Sequence, residues 1–278
     1  MPNNQVLVDN MDAMYQSNID ARTIAFPLVN KMLEPSLLEQ GDTTKVKYFN
    51  DVTLNTVASS GEDITISDWA EQSDDLVVDQ VRNRGEKIKD IEEIRNVPSI
   101  QAKRVERIAK ASEIDLDKYT LTTAVANAST VINSGTPIAL DKTNVFEEIE
   151  KIRVQLSKND LPTGQHLFVN AHTASMLRQS GVYDAIPEGL NVRQRAAFVT
   201  SLSGFMIFET NHIPTADVGV NTYMVAFDSE AIYGAEQLNK FKVTDWGGKA
   251  MASTLLFENV YGMDVLGLNS ARVVANKI

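Results

Sequence analysis

The chain has 278 residues, a formal net charge of −11 and a hydrophobic fraction of 43%. This length and composition predict a folded chain with a substantial core and exclude a disordered one. The chain has no cysteine, which excludes disulfides, thiol nucleophiles and cysteine-based zinc sites. The acidic charge disfavours a dedicated nucleic-acid binder, because such binding depends on Lys and Arg. No secretory leader or apolar membrane-spanning run is present, so neither secretion nor membrane insertion is expected.

The first forty residues predict an arm that is built from short pieces. Apolar residues recur there, but Pro27 and Pro35 interrupt any long helix. Such a segment has to lie on a larger body to bury its apolar side chains.

A strand-rich, hairpin-like stretch follows over 43–80. The turn signal Gly41-Asp42 precedes β-branched and aromatic runs at 45–49 and 52–57, and further strand candidates lie at 64–66 and 76–78. Between 48 and 81 there is no Lys or Arg, whereas residues 51–79 contain eight acidic residues. The next stretch, 82–110, has nine basic residues against five acidic ones. We therefore expect electrostatic complementarity between an acidic flap and a basic region, within one molecule or between neighbours.

Two amphipathic helices are predicted next. The longer one is expected to start near Pro98, with Asn96 as its cap, and apolar spacing places one set of residues on a single face: Val105, Ile108, Ser112, Leu116 and Tyr119. The second covers 143–158, where Asn144 and Glu147 are spaced for a capping box.

The remaining chain mixes strands and helices without regular alternation. Strands are predicted at 166–170, 205–209, 222–227, 241–243, 254–257 and 271–275, and a short helix at 171–178. This order favours an α+β fold over a doubly wound sheet.

No catalytic signature is present. The chain lacks the phosphate-loop, dinucleotide-binding, hydrolase-elbow and zincin motifs. Its three histidines, His166, His172 and His212, are each better explained as packed or solvated side chains than as ligands or bases. We therefore predict no catalytic, cofactor or metal site. Trp69 is a large apolar side chain within the acidic flap, where it packs either locally or against another copy.

The order of these features resembles the major capsid proteins of tailed phages, the Hong Kong 97 type of shell fold. The features that carry the resemblance are collinear and cover nearly the whole chain: the arm, the acidic hairpin after Gly41-Asp42, the helix that ends in Ile114-Asp115-Leu116-Asp117-Lys118-Tyr119, the strand His166-Leu167-Phe168-Val169-Asn170, the run from Ser203-Gly204-Phe205 to His212-Ile213-Pro214, and Tyr261-Gly262-Met263-Asp264-Val265. One departure is Asn170-Ala171, where the family often has Asn-Pro.

The resemblance implies an N-terminal arm at 1–42, an extended loop at 43–80, a peripheral domain with a spine helix at 81–130, an axial domain at 131–238 and a return to the peripheral domain at 239–278. It implies a structural protein, not an enzyme, that forms hexamers and pentamers of itself in an icosahedral or prolate shell around double-stranded DNA. A separate scaffolding protein, a portal and decoration proteins are the implied partners, DNA is enclosed without sequence-specific binding, and no membrane or cofactor is implied. The protein would be located in the virion, and in the host cytoplasm during assembly.

In such a shell we expect the acidic loop of one subunit to lie over the basic 82–110 region of the next, and the arm to bury its apolar residues on adjacent subunits. The predicted subunit-contact residues are Asp63, Trp69, Asp74, Asp75, Arg104 and Arg107. The alternatives are another phage structural protein, such as a tail-tube or decoration protein, and an enzyme of an unrecognised family.

Overall fold

The computed structural model describes residues 13–15, 17, 23–33, 41, 43–49, 71–89, 99–159, 161, 165–181, 186–219, 221–236, 240–245 and 252–278. The α-helices with defined bounds are α1 (Ser99–Ala126), α2 (Val145–Lys158), α3 (Ala171–Gln179) and α4 (Val192–Ala197). None of the described helices is long and apolar enough to cross a membrane.

The strands of the described chain follow in sequence order: β1 (Thr43–Phe49), β2 (Glu71–Val77), β3 (Gln80–Lys89), β4 (Thr130–Ile132), β5 (His166–Val169), β6 (Phe198–Leu202), β7 (Phe205–Glu209), β8 (Thr215–Ala216), β9 (Asn221–Phe227), β10 (Tyr233–Glu236), β11 (Lys240–Asp245), β12 (Ala252–Asp264) and β13 (Val274–Lys277). Short 3-10 turns lie at Phe26–Leu28, Asn133–Gly135, Asp217–Gly219 and Gly267–Arg272. The mixture of helices and sheets confirms the predicted α+β class.

Strands β1 and β2 form an antiparallel ribbon, paired from Thr43↔Val77 to Phe49↔Glu71. One face of the ribbon is exposed, whereas the other carries the buried Leu76 and four half-buried side chains, those of Thr44, Val46, Tyr48 and Asp74. The ribbon is therefore not folded into the interior of its own chain. The strands predicted at 52–57 and 64–66 lie outside the described residues.

A second sheet is organised around β12. Strand β3 pairs along one edge of β12, from Ala252↔Lys89 to Tyr261↔Gln80, while β11 and β10 share its other edge. Side chains alternate across a strand, and Leu255, Phe257, Tyr261 and Met263 are accordingly buried. The predicted strand at 254–257 thus lies in the first half of a much longer one, and residues 82–89, for which no strand was predicted, form most of β3.

The long helix α1 packs on this sheet. Its predicted face is confirmed, since Val105, Ile108, Ser112 and Leu116 are buried and Tyr119 is half-buried. The predicted cap Asn96 and the predicted start Pro98 lie outside the described residues.

A third, mixed sheet has the strand order β4-β13-β9-β5-β7-β6, with β8 attached to β9. Strand β5 lies in its interior, and its alternate residues enter two different clusters: Leu167 packs with Ile149 and Ile152 of α2, whereas Phe168 packs in the cluster that contains Leu116 of α1. This burial on both faces explains the unbroken apolar run in the sequence.

Two predicted details are wrong. Asn144 precedes α2, but its side chain makes no capping bond. Instead Asp141 Oδ1 accepts from the backbone N–H groups of Thr143 at 2.7 Å and Asn144 at 2.9 Å, so the Asp side chain organises the turn in place of a capping box. The last predicted strand, 271–275, is displaced, because the 3-10 turn Gly267–Arg272 occupies its first half and β13 begins at Val274.

Candidate interaction surfaces

The base of the ribbon is fixed to the body at several points. Leu76 and Val78 are buried in a cluster with Ala235, Val260 and Leu266. Asp74 accepts a hydrogen bond from the backbone N–H of Gly267 at 2.6 Å. The ribbon therefore leaves the body from an ordered root, and the Asp74 carboxylate serves this intrachain contact.

The charges of the described ribbon are mostly acidic and exposed. Asp75 lies opposite Lys45, and Lys47 pairs with Glu71 at 2.8 Å with both side chains exposed. Exposed pairs of this kind contribute about 0–1 kcal/mol. Of the predicted contact residues in the loop, Asp75 is exposed, Asp74 is half-buried, and Asp63 and Trp69 lie outside the described residues.

A basic groove of about 490 Å³ runs between β3 and the first half of α1. Its apolar lining comes from Ile108, Ala111 and Phe257, and its basic lining includes Arg82 and Arg107. The other lining residues are Asn83, Arg84, Glu86, Ser112 and Asp115. The predicted contact residue Arg107 thus lies on a concave surface with both cationic and apolar parts.

One edge of this groove is rigid. Arg82 Nε donates to Asp115 Oδ2 at 2.7 Å, and the same carboxylate accepts from the hydroxyl of Tyr261. The bond to Asp115 raises the pKa of Arg82, and burial together with Asp115 raises the pKa of Tyr261. By contrast Arg107 is exposed, whereas Arg104 is half-buried.

An acidic groove of about 350 Å³ continues along the second half of α1. Asp75, Asp79 and Asp264 line it, together with Tyr119 and Asn127. Burial, with Asp79 and Asp264 next in effect, raises the pKa of Tyr119 to about 12. The two halves of α1 therefore border surfaces of opposite charge.

The described arm residues do not have the expected placement. Ile24, Phe26 and Val29 are buried in the main core of their own chain, which also contains Tyr15. The expectation that the arm buries its apolar residues on adjacent subunits is therefore wrong for these positions, because the chain's own core already covers them.

The sequence reasoning missed the residue that holds this segment. Asp117 of α1 accepts hydrogen bonds from the backbone N–H groups of Ile24, Ala25 and Phe26. The signal in the sequence was the position of Asp117, next to Leu116 and one turn before Leu121, within the buried stripe of a helix. An acidic side chain at such a position requires hydrogen-bond partners.

The three histidines have separate environments. His166 is buried, and burial lowers its pKa. His172 is exposed on α3, and His212 Nδ1 lies 3.6 Å from Asp117 Oδ2. In the part of the chain that the structure describes, no group of three or more His, Asp or Glu side chains is arranged to hold a metal ion.

The second sheet with its long helix, the mixed third sheet and the exposed ribbon together define the α+β capsid fold of phage shells. A chain from Mycobacterium phage Che8 is similar, with a TM-score of 0.73 and 24% identity over 92% of this chain and 91% of that one. The capsid structure of the cyanophage P-SCSP1u has a TM-score of 0.66 and 14% identity over 92% of this chain and 86% of its own.

The likeness extends to more distant shells. A virus-like particle from Pyrococcus furiosus has a TM-score of 0.55 and 10% identity, and the match covers 96% of this chain and 98% of that one. No protein-family model matches the sequence, and no curated protein matches it. The chain shares the capsid fold with these structures at 10–24% sequence identity.

Proposed function

We propose that this chain is a major capsid protein that assembles with copies of itself into an icosahedral or prolate shell around a phage double-stranded DNA genome. The observation that carries the proposal is the match to phage capsid structures over about nine-tenths of both chains. A likeness of this extent leaves little of the chain for an additional enzymatic domain. The protein is located in the virion and, during assembly, in the host cytoplasm.

The chain divides into five parts in this proposal: an arm at 1–42, an extended loop at 43–80, a peripheral domain with the spine helix at 81–130, an axial domain at 131–238 and a return to the peripheral domain at 239–278. The second sheet with α1 corresponds to the peripheral domain and the third sheet with α2 to the axial domain. Two strands cross these bounds, since β10 of the second sheet lies within 131–238 and β13 of the third sheet within 239–278. The ribbon supports the assignment of the loop, since one of its faces is exposed and Leu76 is the one fully buried side chain among the described residues of its paired strands.

The subunit contact is formed when the acidic loop of one copy lies in the basic groove of the next. Asp63, Trp69, Asp74 and Asp75 are the contact residues from the loop, and the Arg104 and Arg107 region receives them. Asp74 also accepts a hydrogen bond from the backbone N–H of Gly267 in its own chain, which fixes the carboxylate at the root of the loop. Each exposed charge pair contributes about 1 kcal/mol or less, and closed symmetry repeats the contact around every ring.

Other components act at different surfaces. A net charge of −11 is compatible with a wall that encloses DNA without gripping it. Hexamers and pentamers of this chain form the shell, and a separate scaffolding protein, a portal and decoration proteins complete it.

Negative-stain electron microscopy of the purified protein tests the proposal, alone and after coexpression with its neighbouring structural genes. Closed shells are the expected result. Tubes would favour the tail-tube alternative, and monomers that coat preformed shells would favour a decoration protein. The enzyme alternative is tested by replacing all three histidines. If the purified chain is a monomer with an enzymatic activity that this replacement abolishes, the enzyme alternative replaces the proposal.

A further inference from the structure

A single buried carboxylate, that of Asp117, holds the root of the N-terminal arm. We define this root as residues 23–30. The side chain of Asp117 is 1% exposed. It accepts hydrogen bonds from three consecutive backbone N–H groups, those of Ile24 at 3.0 Å, Ala25 at 2.9 Å and Phe26 at 3.1 Å. Successive N–H groups that converge on one point form an anion-binding concavity, so the carboxylate charge is matched by the dipoles of the arm backbone.

The three N–H groups converge because they begin a helical turn. Ala25 has helical dihedral angles, φ −87° and ψ −38°, and precedes the 3-10 turn Phe26–Leu28. The first N–H groups of a helical turn have no partner within the turn. The side chains of Ile24 and Ala25 cannot accept hydrogen bonds, so Asp117 supplies the cap from 91 to 93 positions away in the sequence.

Two amide side chains at the start of α4, from its cap residue and its first turn, complete the attachment. Asn191 donates to the carbonyl of Thr23 at 2.9 Å, and Gln194 donates to the carbonyl of Ile24 at 3.1 Å. Asn191 and Gln194 also form the capping box of α4, which fixes the orientation of both amides. The arm therefore donates to an anion on α1 and accepts from neutral amides on α4.

The far end of the root is held by a different element. The backbone N–H of Asn30 donates to the carbonyl of Ile232 at 2.8 Å, and the backbone carbonyl of Asn30 accepts from the N–H of Gly234 at 3.0 Å. Near the carboxylate, His212 is the ion-pair neighbour of Asp117 among the described residues, and Glu113 on the previous turn pairs with Arg193 at 3.6 Å. The charge of Asp117 is therefore compensated mainly by the arm itself.

We propose that Asp117 is the positioning residue of the N-terminal arm, an anionic clamp that fixes the arm root on its own subunit. The arm then leaves every subunit from the same point and in the same direction during shell assembly. This role rests on the proposed capsid function, but the clamp itself is a property of the single chain. Loss of the negative charge releases residues 24–26 together, while the bonds of Asn30 keep the far end of the root attached.

Hydrogen exchange of the full-length, unassembled chain tests the clamp. In Asp117→Asn the amides of Ile24, Ala25 and Phe26 should exchange about 100-fold faster than in the wild type, because bonds to a charged acceptor become weaker neutral ones. The matched control is Asp141→Asn, the same change at another carboxylate that accepts from two successive backbone N–H groups, those of Thr143 and Asn144, and it should leave the amides of residues 24–26 unchanged. Unchanged exchange in Asp117→Asn would overturn the clamp.

A second measurement applies if Asp117→Asn does not fold. In the wild-type chain the three clamped amides share one acceptor, so they should exchange as a group with a common opening rate that differs from the rate of the Asn30 amide. Widely different rates among the three amides would refute a shared clamp.

Electron microscopy of the same variants separates the positioning role from the proposed function. A folded Asp117→Asn chain with a released arm should give at least about tenfold fewer closed shells than Asp141→Asn. Wild-type shell yield with a released arm would overturn the positioning role. If the wild-type chain forms no shell under any condition, the proposed function fails while the exchange result still decides the clamp.

Discussion

Substitution of Gly262 by alanine is expected to displace the base of the ribbon. Gly262 lies in β12 directly beneath the end of β2, and a Cβ atom there would be 2.1 Å from the carbonyl oxygen of Val77 and 2.8 Å from Cα of Val78. Real Cβ atoms essentially never approach other atoms closer than 3.0 Å, so the ribbon backbone has to retreat by about 0.9 Å. A backbone segment with a buried anchor such as Leu76 cannot yield as a flexible side chain would.

The magnitude follows from the kind of clash. Overpacking costs about 1–3 kcal/mol, and a backbone clash belongs at the upper end of that range. The lower conformational entropy of the unfolded alanine variant offsets about 0.4–1 kcal/mol of this cost. The net loss in the free energy of unfolding is therefore about 2–3 kcal/mol, which lowers the melting temperature of a chain of this size by roughly 4–12 °C.

Gly85→Ala is the matched control for this prediction. It lies in β3 of the same sheet, and its Cβ would meet Leu256 Cδ2 at 3.4 Å, an ordinary van der Waals contact. Calorimetry of the unassembled chains should show Gly85→Ala at or slightly above the wild-type melting temperature and Gly262→Ala well below it. If Gly262→Ala melts together with the control, the ribbon base does not cross β12 as described, and the reasoning is wrong.

Three further predictions concern charge and pH. Reversal of Arg104 and Arg107 to glutamate should weaken subunit association by about 2–4 kcal/mol at low salt and by less at high salt. Light scattering measures the effect as shell yield. Normal shells at low salt would contradict the proposed contact. The pKa of His166 is lowered in the folded state, so the unfolded chain binds more protons below about pH 6.5. The free energy of unfolding therefore falls as the pH decreases through that range. In urea unfolding, His166→Gln should lose less of this free energy than the wild type between pH 7.5 and 5.5. Glu148→Gln should lower the free energy of unfolding by about 1–3 kcal/mol at pH 7. Burial raises the pKa of Glu148, but hydrogen bonds from neighbouring residues outweigh burial, so the pKa is lowered overall.

Each of these three changes has a control in the chain. Reversal of the exposed pair Lys142 and Lys158 alters the net charge equally without touching the basic groove. His172→Gln replaces an exposed imidazole, so its pH profile should match the wild type. Glu147→Gln removes an exposed partner of the lysine that also pairs with Glu148, and it should cost less than about 0.5 kcal/mol. Equal losses for Glu147→Gln and Glu148→Gln would show that burial is not the cause.

Local patterns predicted the elements that are buried on one stripe or on both faces. The spacing of Val105, Ile108 and Leu116 identified the face of α1, and the run from His166 to Val169 identified β5, because burial alone selects those residues. Strand β3 was not predicted, since its arginines and lysines show no apolar alternation. Its strand conformation depends on pairing with β12, about 170 residues later in the chain.

The candidate surfaces were predicted only as regions. The sequence located an acidic loop and a basic stretch, but the groove that contains Arg107 is lined jointly by β3, α1 and Phe257 of β12, which are distant in the sequence. The cap at Asn144 was predicted and is absent, because the Asn144 side chain instead accepts from the backbone N–H of Asp141 and donates to the carbonyl of Ala139. The capping box at Asn191 and Gln194 follows the same spacing rule and is present. Spacing rules identify candidate caps, and the hydrogen bonds that each side chain makes elsewhere decide which candidates form a cap.

The two extensions of the chain are both anchored close to β12. The ribbon crosses it at Gly262, and the arm meets its paired strand β10, where the Cβ position of Gly234 lies 2.5 Å from Val29 Cγ1. A subunit contact made by exposed charges stabilises a shell by about 1 kcal/mol or less per pair, whereas ordering a flexible segment costs about 1–2 kcal/mol per residue. Such contacts can be favourable only if the segments that make them are already held in place. The hydrogen bonds of Asp117 and the close packing at Gly262 meet that requirement before two subunits come together.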